Sequence, residues 1–421
     1  MSRSWTGTRK NERDTTGVTP GADYSGRTTV LSLGAAVGCY GVADSVFATT
    51  TSLFLANAVH VGAVLIGVYF TGRALAGICV NLIGGWLSDQ LADRKLVLAL
   101  TGLAGVVGAL GFMLIRNYTA VLVTGVVCFS LNSVCFSQLF AYANEFAEAT
   151  GKGVASFTSA IRSTFSAAWV VGPPLGLFLL PHVGFSPVYA GCAIMFLVPT
   201  LLGYWCLPTL PSTPAKAAAE GGVSWQEIHS AVTAVPRRTW LLLSAFTSVI
   251  VADQIYLIVI ALYVTKDLHR SPGLAGLMTG TCAALEIPLM IVVGRFADRI
   301  GKTRMLAFAI VVAAGFFSLL PVASSAPALL ALQLANAVWT AILLSIPLVM
   351  IQQEMPGGSG MASSLYTSAF MAAELLAGAI VGAVTAQVGY RNVFWVCAGL
   401  CALAGVMLLA RSARPVQTDS R

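Results

Sequence analysis

The chain has 421 residues, 57% of them apolar and only 10% charged, with a formal charge of +7. A soluble domain carries about a quarter charged residues, so this chain has too little polar surface to cover itself in water and is expected to be solvated largely by lipid. The positive charge does not imply a nucleic-acid partner, because the basic residues are spread over loops instead of forming one patch.

Residues 1–27 are polar, carry Arg3, Arg9, Lys10, Arg13 and Arg27, and lack an apolar h-region. They read as a disordered cytoplasmic tail and not as a signal peptide. A helix needs about 20 apolar residues to cross the hydrocarbon. Runs of that kind fall at 28–55, 62–87, 96–115, 119–140, 154–180 and 188–207, then at 239–264, 273–294, 305–325, 327–351, 361–388 and 392–410. The expected fold is therefore all-α and membrane-embedded, with twelve transmembrane helices. An N-terminal six-helix bundle (28–207) and a C-terminal one (239–410) are divided by a linker loop (208–238), and a tail (411–421) follows. Within the linker, Trp225, Ile228, Val232 and Val235 share one face of a short stretch that is expected to lie on the inner membrane surface.

If the N-terminus is cytoplasmic, 18 of the 24 Lys and Arg residues lie in cytoplasmic segments. The opposite face holds Arg116, Lys266, Arg270 and Arg391, while Arg73 and Arg162 lie inside spans. This asymmetry predicts that both termini are cytoplasmic. The nine cysteines are scattered without a C-x-x-C pair, and His60, His182, His229 and His269 fall in predicted loops. No disulfide framework, metal site or cofactor is expected.

An offset of 209 residues relates the two halves without gaps over most of their length. Val42-Ala43-Asp44 returns as Val251-Ala252-Asp253, Gly85 and Asp89 return as Gly294 and Asp298, and Phe157-Thr158-Ser159-Ala160 returns as Tyr366-Thr367-Ser368-Ala369. A parallel repeat of six plus six spans is the plan of transporters that rock two bundles about a midplane site.

The loop Gly294-Arg295-Phe296-Ala297-Asp298-Arg299-Ile300-Gly301-Lys302 resembles the repeated loop motif of the major facilitator superfamily. The first copy, Gly85 to Lys95 with Asp89 and Arg94, is degraded, with Gln90 and Ala92 replacing the usual basic residue and glycine. The resemblance implies a gate: the aspartate sits near the cytoplasmic start of a helix of the other half, here residue 361 or 154. A carboxylate there gains about 0.3–1 kcal/mol. The alternative is a solvated turn that only sets topology.

Ser52-Leu53-Phe54-Leu55, Ala168 to Pro174, Leu285-Glu286-Ile287-Pro288 and Leu332 to Ala337 are similar to stretches of the bacterial sugar efflux subgroup. That similarity implies export of sugars or glycosides across the cytoplasmic membrane by alternating access and proton antiport. Gly172-Pro173-Pro174 resembles the Gly-Pro element of superfamily exporters. It implies a bend that shapes the cavity, with a plain packing kink as the alternative.

Charge inside a bilayer costs at least about 2.5–3.5 kcal/mol per residue and usually marks function or pairing. The spans hold Asp44, Asp253, Glu286 and Glu374 against Arg73 and Arg162. Two carboxylates are thus left without a basic partner within the spans, as a proton-coupled antiporter requires. Asp44 and Asp253 are repeat-related and near mid-span, and they are the first candidates for substrate or proton groups. Asp44 could equally neutralise Arg73. Glu286 ranks behind Asp253, and Arg162 either orients a sugar hydroxyl or sits in a structural pair. Sugar recognition uses amides and aromatic faces, for which Asn132, Tyr256, Gln333, Asn336 and Trp339 are candidates; helix–helix hydrogen bonding is the competing role for each.

Export of amphiphilic drugs and proton-driven sugar import remain as rival readings. No clustered nucleophile, base or metal set points to an enzyme. The expected partners are a small-molecule substrate (sugar, glycoside or drug), protons and membrane lipid, and the chain is expected to act as a monomer.

Overall fold

A computed structural model of the protein describes residues 26–90, 94–151, 153–208, 233, 235–355 and 359–412. Residues 1–25 and 413–421 of the two tails and the amphipathic stretch containing Trp225, Ile228 and Val232 lie outside the described residues. Within them the chain is helical and no strand occurs. The cause is general: hydrocarbon offers no hydrogen bonds, so each spanning segment must satisfy its own backbone.

The helices are α1 (Gly26–Asn57), α2 (Ala63–Gln90), α3 (Arg94–Leu114), α4 (Tyr118–Ala149), α5 (Val154–Val183) and α6 (Phe185–Trp205). The second half continues with α7 (Arg237–Leu262), α8 (Pro272–Ile300), α9 (Lys302–Leu319), α10 (Ala326–Glu354), α11 (Ser359–Ile380) and α12 (Ala386–Ser412). Single π-turns extend α7 over Tyr263–Asp267 and α11 over Val381–Thr385. Among the described residues, eleven helical stretches are long and apolar enough to span a membrane, and one of them, Met361–Arg411, runs for 51 residues. At 1.5 Å per residue it is far longer than a bilayer core of about 30 Å. Gly389 breaks it, with φ 81 and ψ 170, so it forms the eleventh and twelfth spans.

Two expectations need correction. The apolar run carries the ninth span to residue 325, but α9 stops at Leu319. Pro321 lacks a backbone N–H, so the Phe317 carbonyl loses its i+4 donor and the helix gives way to a turn, although Leu320 itself keeps helical φ and ψ. His182 is not in a loop; it occupies the last turn of α5, with Nδ1 2.8 Å from the Phe178 carbonyl oxygen.

Contacts within the first half pair α1 with α5 and α6, α3 with α4 and α6, and α2 with α4. The second half repeats this pattern, with α7 against α11 and α12, α9 against α10 and α12, and α8 against α10. Between the halves, α2 meets α11 and α5 meets α8, with α1 against α7 between them. Exchanging the halves maps this contact pattern onto itself, as a two-fold pseudo-symmetric pair of bundles requires. Each bundle is centred on aromatic rings at matching repeat positions. Phe47 packs 4.7 Å from Tyr189 and Phe54 5.0 Å from Phe112. Their counterparts Tyr256 and Tyr263 pack 5.6 Å from Phe316 and 5.2 Å from Phe394.

The first described helix begins, and the last ends, on one face of the bundle pair, here called the near face; the other is the far face. Both seams between the bundles close tightly toward the far face. A Cβ on Gly67 would lie 2.3 Å from the Gly382 Cα, and one on Gly276 would lie 2.8 Å from the Pro173 carbonyl oxygen. Under the 209-residue offset these two contacts are one contact seen twice. Toward the near face, Ser159, Arg162, Ser163 and Ser166 of α5 and Ser364, Thr367 and Ser368 of α11 are exposed. Polar side chains of that kind face water and not lipid tails, so the cleft between the bundles opens to the near face.

Side chains tie the helix ends on both faces. On the far face the Arg391 backbone N–H donates to Asp267 at 2.8 Å and its Nε to the Pro321 carbonyl at 2.6 Å, which joins α7, α9 and α12. Arg116 bonds Ser186 at 2.7 Å and so joins the α3–α4 turn to α6. On the near face Glu354 of α10 receives Arg411 of α12 and Thr239 of α7, with Arg238 at 3.8 Å. Glu354 and Arg411 are only 10% and 13% exposed. Glu354→Gln therefore strands a largely buried guanidinium and is expected to cost about 3–5 kcal/mol. The fall should appear in the thermal unfolding midpoint in detergent, and Glu354→Gln/Arg411→Met should recover much of it. Equal losses in the two variants would mean that the pair does not hold these helices.

Candidate functional site

A cavity of about 280 Å³ lies between α5 of the first bundle and α7, α8 and α10 of the second. It begins one turn below the Gly276–Pro173 contact, at Thr279 and Trp169. Pro173 and Pro174 lie inside α5 without breaking it. They remove the N–H donors that would otherwise serve the carbonyls of Trp169 and Val170. Gly172 lets this part of α5 approach α1, where a Cβ would lie 3.1 Å from the Val42 carbonyl.

Asp253, Tyr256 and Glu286 line this cavity together with Asn336, Trp339 and Thr340. The structure thus brings together five of the residues that the sequence singles out: Asp253, Tyr256, Glu286, Asn336 and Trp339. Gln333 stands behind them. It is fully buried, its Oε1 accepts from Tyr256 Oη at 3.2 Å and from Asn336 Nδ2 at 3.0 Å, and its Nε2 donates to Leu329. Gln333 orients two lining residues and does not itself reach the cavity.

Three buried polar atoms belonging to the cavity's lining residues have no hydrogen-bond partner among the described residues: Asn336 Oδ1, Trp339 Nε1 and Trp169 Nε1. Leaving a buried donor or acceptor unsatisfied costs about 1–3 kcal/mol, so such atoms call for a partner that the protein does not supply. No basic side chain lies within 4 Å of Asp253 or Glu286 among the described residues. Trp169, Phe165 and Ser166 also line the cavity, and the sequence does not mark them as cavity residues. Trp169 stands in the stretch leading into Gly172-Pro173-Pro174, but only the α5–α8 seam shows that it faces the second bundle.

Asp44 and Arg73 line a separate cavity of about 40 Å³ in the first bundle, with Tyr40, Tyr69 and Asn132. Among the described residues they make no ion pair within 4 Å. Asn132 Nδ2 bonds Tyr40 Oη at 3.4 Å, while its Oδ1 lies against Gly105, where a Cβ would come within 2.4 Å. Arg162 lies apart from both cavities, exposed, with its guanidinium 5.8 Å from the centre of the Phe140 ring.

Of the gate motif, Gly85 lies within α2, and the side chains of Asp89 and Arg94 lie outside the described residues. In the second copy Asp298 pairs with Lys302 on the next turn and is 84% exposed. Arg299 lies 5.9 Å from the Phe296 ring centre. A Cβ on Gly294 would meet no described atom within 4 Å, and Gly301 turns the chain from α8 into α9 at φ 93.

Two pseudo-symmetric six-helix bundles around a midplane cavity define the architecture of a membrane transporter that works by alternating access. The chain matches the Major Facilitator Superfamily over residues 33–257 and 242–421, and it belongs to that family. It is 35% identical over 368 residues to sugar efflux transporter A of Dickeya chrysanthemi, covering 87% of this chain and 92% of that one. Sugar efflux transporter A of Escherichia coli K12 is 34% identical, with 86% and 91% covered. Sugar efflux transporter C of the same strain is 32% identical, with 88% and 92% covered. Among solved structures, the nucleoside transporter NupG superposes with a TM-score of 0.76 at 13% identity, covering 92% of this chain and all of that one. A bacterial homologue of ferroportin in an inward-facing state superposes at 0.69 and 15% identity, with 92% and 98% covered. At these identities the structural likeness establishes the fold alone.

The supporting role of Gln333 has a measurable consequence. Gln333→Leu orphans the Tyr256 hydroxyl and the Asn336 amide and is expected to cost about 1–3 kcal/mol of stability. Adding Tyr256→Phe removes one orphan and should return part of that loss in thermal melts. Strictly additive losses would show that the Tyr256–Gln333 bond carries no such role.

Proposed function

We propose that this protein exports sugars or glycosides through the cavity between α5, α7, α8 and α10. The observation that carries the reading is the pairing of aromatic walls with unsatisfied polar atoms. Trp169, Trp339 and Tyr256 offer ring faces to the C–H surface of a pyranose. Trp169 Nε1 and Trp339 Nε1 donate to sugar oxygens, Asn336 Oδ1 accepts from a hydroxyl, and Asp253 and Glu286 accept from others. A polyhydroxylated ligand satisfies what the cavity's own side chains leave unmet. The volume lies near the lower edge of small-molecule pockets, about 300–1,000 Å³, and one wall belongs to the other bundle, so rocking of the bundles resizes it. The names of the relatives, sugar efflux transporters, support the same substrate class.

Transport is coupled to protons in this reading. Asp253 and Glu286 carry them, since each faces the substrate cavity without a basic partner within 4 Å among the described residues. The near face is cytoplasmic, in keeping with 18 of 24 basic residues assigned to segments on that side. The protein then sits in the cytoplasmic membrane with both termini inside, and the cavity in this structure is open to the cytoplasm, ready to load. In the second gate copy, Asp298 is the group that would engage the other bundle when this face closes. A second reading rests on the same two carboxylates: an acidic cavity without a cation also suits a cationic amphiphilic drug.

Everted vesicles carrying the protein separate the readings. Under an imposed proton gradient followed by a fluorescent pH probe, lactose or an alkyl glucoside is expected to dissipate the gradient, and Asp253→Asn is expected to abolish the response. Trp339→Phe keeps the ring and loses one donor, so the half-saturating sugar concentration should rise by about 2–10-fold, the equivalent of one hydrogen bond. Dissipation by cationic drugs alone would replace sugar export with the drug reading. Silence toward both classes from correctly inserted protein would end the proposal.

A further inference from the structure

The two seams between the bundles are equivalent in backbone and unequal in charge. On the α2–α11 seam, Gly67 meets Gly382 and, one turn nearer the midplane, Thr71 meets Gly378 with a would-be Cβ 2.6 Å from the Thr71 amide nitrogen. The helices run antiparallel, so each turn along α2 is matched by one turn back along α11. One further turn in this register brings Glu374 of α11 to the level of Leu75 of α2, so that Arg73 lies about half a turn, roughly 3 Å along the axis, from Glu374. Both are partly buried. On the α5–α8 seam the repeat-equivalent positions are Phe165 and Cys282, uncharged and lining the substrate cavity.

Arg73 therefore has two acidic neighbours on different bodies: Asp44 in its own bundle and Glu374 in the other. Both lie in electrostatic range of its guanidinium, and neither is within 4 Å among the described residues. A cation shared at this distance is not committed to either carboxylate. It attracts both, and the attraction to Glu374 acts across the line along which the bundles move.

We propose that Glu374 is a positioning residue of the transport cycle, holding Arg73 as a counter-ion shared between the bundles so that the α2–α11 seam is clamped at the midplane while the α5–α8 seam, which has no cation at the equivalent positions, is left free to open around substrate. The clamp biases the protein toward the arrangement of this structure, closed at the far face and open at the near face. Without Glu374, Arg73 turns to Asp44 alone, the pair becomes internal to the first bundle, and the bias is lost. None of this depends on the identity of the substrate.

The test uses cysteine labelling without substrate, after the exposed Cys79 and Cys206 have been replaced by serine. Ser163→Cys reports the near-face cleft, and Leu177→Cys, buried against Gly276, reports the far-face seal. In Glu374→Gln, the ratio of Ser163→Cys to Leu177→Cys labelling by a membrane-impermeant maleimide, measured from the respective sides, is expected to fall by about fivefold or more, the size of an ordinary coupling between sites. Glu374→Asp should restore most of the ratio. The exchange Arg73→Glu/Glu374→Arg should recover it at least in part, because a cation then remains between the two bundles. Labelling in Glu374→Gln identical to the parent would overturn the proposal. So would a fall that neither Glu374→Asp nor the exchange reverses, since that is the behaviour of a residue needed only for packing. Where Glu374→Gln fails to insert, the exchange variant decides: parental labelling supports the clamp, and a parental fold with a collapsed ratio refutes it.

Discussion

Everything that distinguishes this molecule as a working transporter hangs on two backbone contacts, Gly67 against Gly382 and Gly276 against Pro173. A side chain larger than hydrogen at Gly67 or Gly276 would force the helices apart at the face where they must seal. In lipid, helices gain no hydrophobic drive toward one another, so close approach by small residues is the main way to bind two bundles without locking them. The 209-residue repeat places the two contacts symmetrically about the axis between the bundles, and the arrangement leaves the midplane, one to two turns away, to be occupied by function. At that level the symmetry is broken. One seam carries Arg73 and Glu374, and the other carries Phe165 and Cys282 beside the cavity.

The same economy of charge governs the rest of the chain. Arg116 and Arg391 are exceptions to the accumulation of basic residues on the near face, and both are held by backbone carbonyls and a neighbouring helix end. They act as rivets between turns, which is why their position carries no topological signal. Glu354 does the corresponding work on the near face, where one carboxylate gathers α7, α10 and α12. These ties make each bundle stiff, and stiffness within the bundles is what allows motion to be confined to the seams between them.

Much of this was legible in the sequence because hydrocarbon imposes so few solutions. Twenty apolar residues bounded by polar ones can only be a span, and the break at Gly389 between the eleventh and twelfth fell where the pattern put it. The end of α9 was misplaced because Val322 and Ala323 prolong the apolar run past Pro321, and hydropathy alone does not see a missing N–H. Asp253, Glu286, Asn336 and Trp339 stood out as polar or amphipathic groups in apolar surroundings, and the cavity holds them all. Gln333 had the same appearance but a different part, since a periodic stripe cannot reveal which of its members is already satisfied by its neighbours. Trp169 escaped for the opposite reason. An indole in a membrane span is unremarkable until the contact between α5 and α8 shows what it faces.

The contrast between Gln333 and Asn336 also bears on selectivity. Gln333 spends its amide on Tyr256, Asn336 and a carbonyl, so the wall it supports is fixed before any ligand arrives. Among the described residues Asn336 Oδ1 and the two indole N–H groups find no protein partner, at an energetic cost that a ligand with matching groups removes. A site of that kind rejects a molecule of the right shape that lacks hydroxyls more strongly than it rejects one that is a methylene too large. Apolar residues such as Ile250, Leu257 and Leu343 complete the lining and leave room for an aglycone to rest against hydrocarbon. The chemistry that fits best is therefore a polar ring carrying an apolar substituent, held between the two bundles.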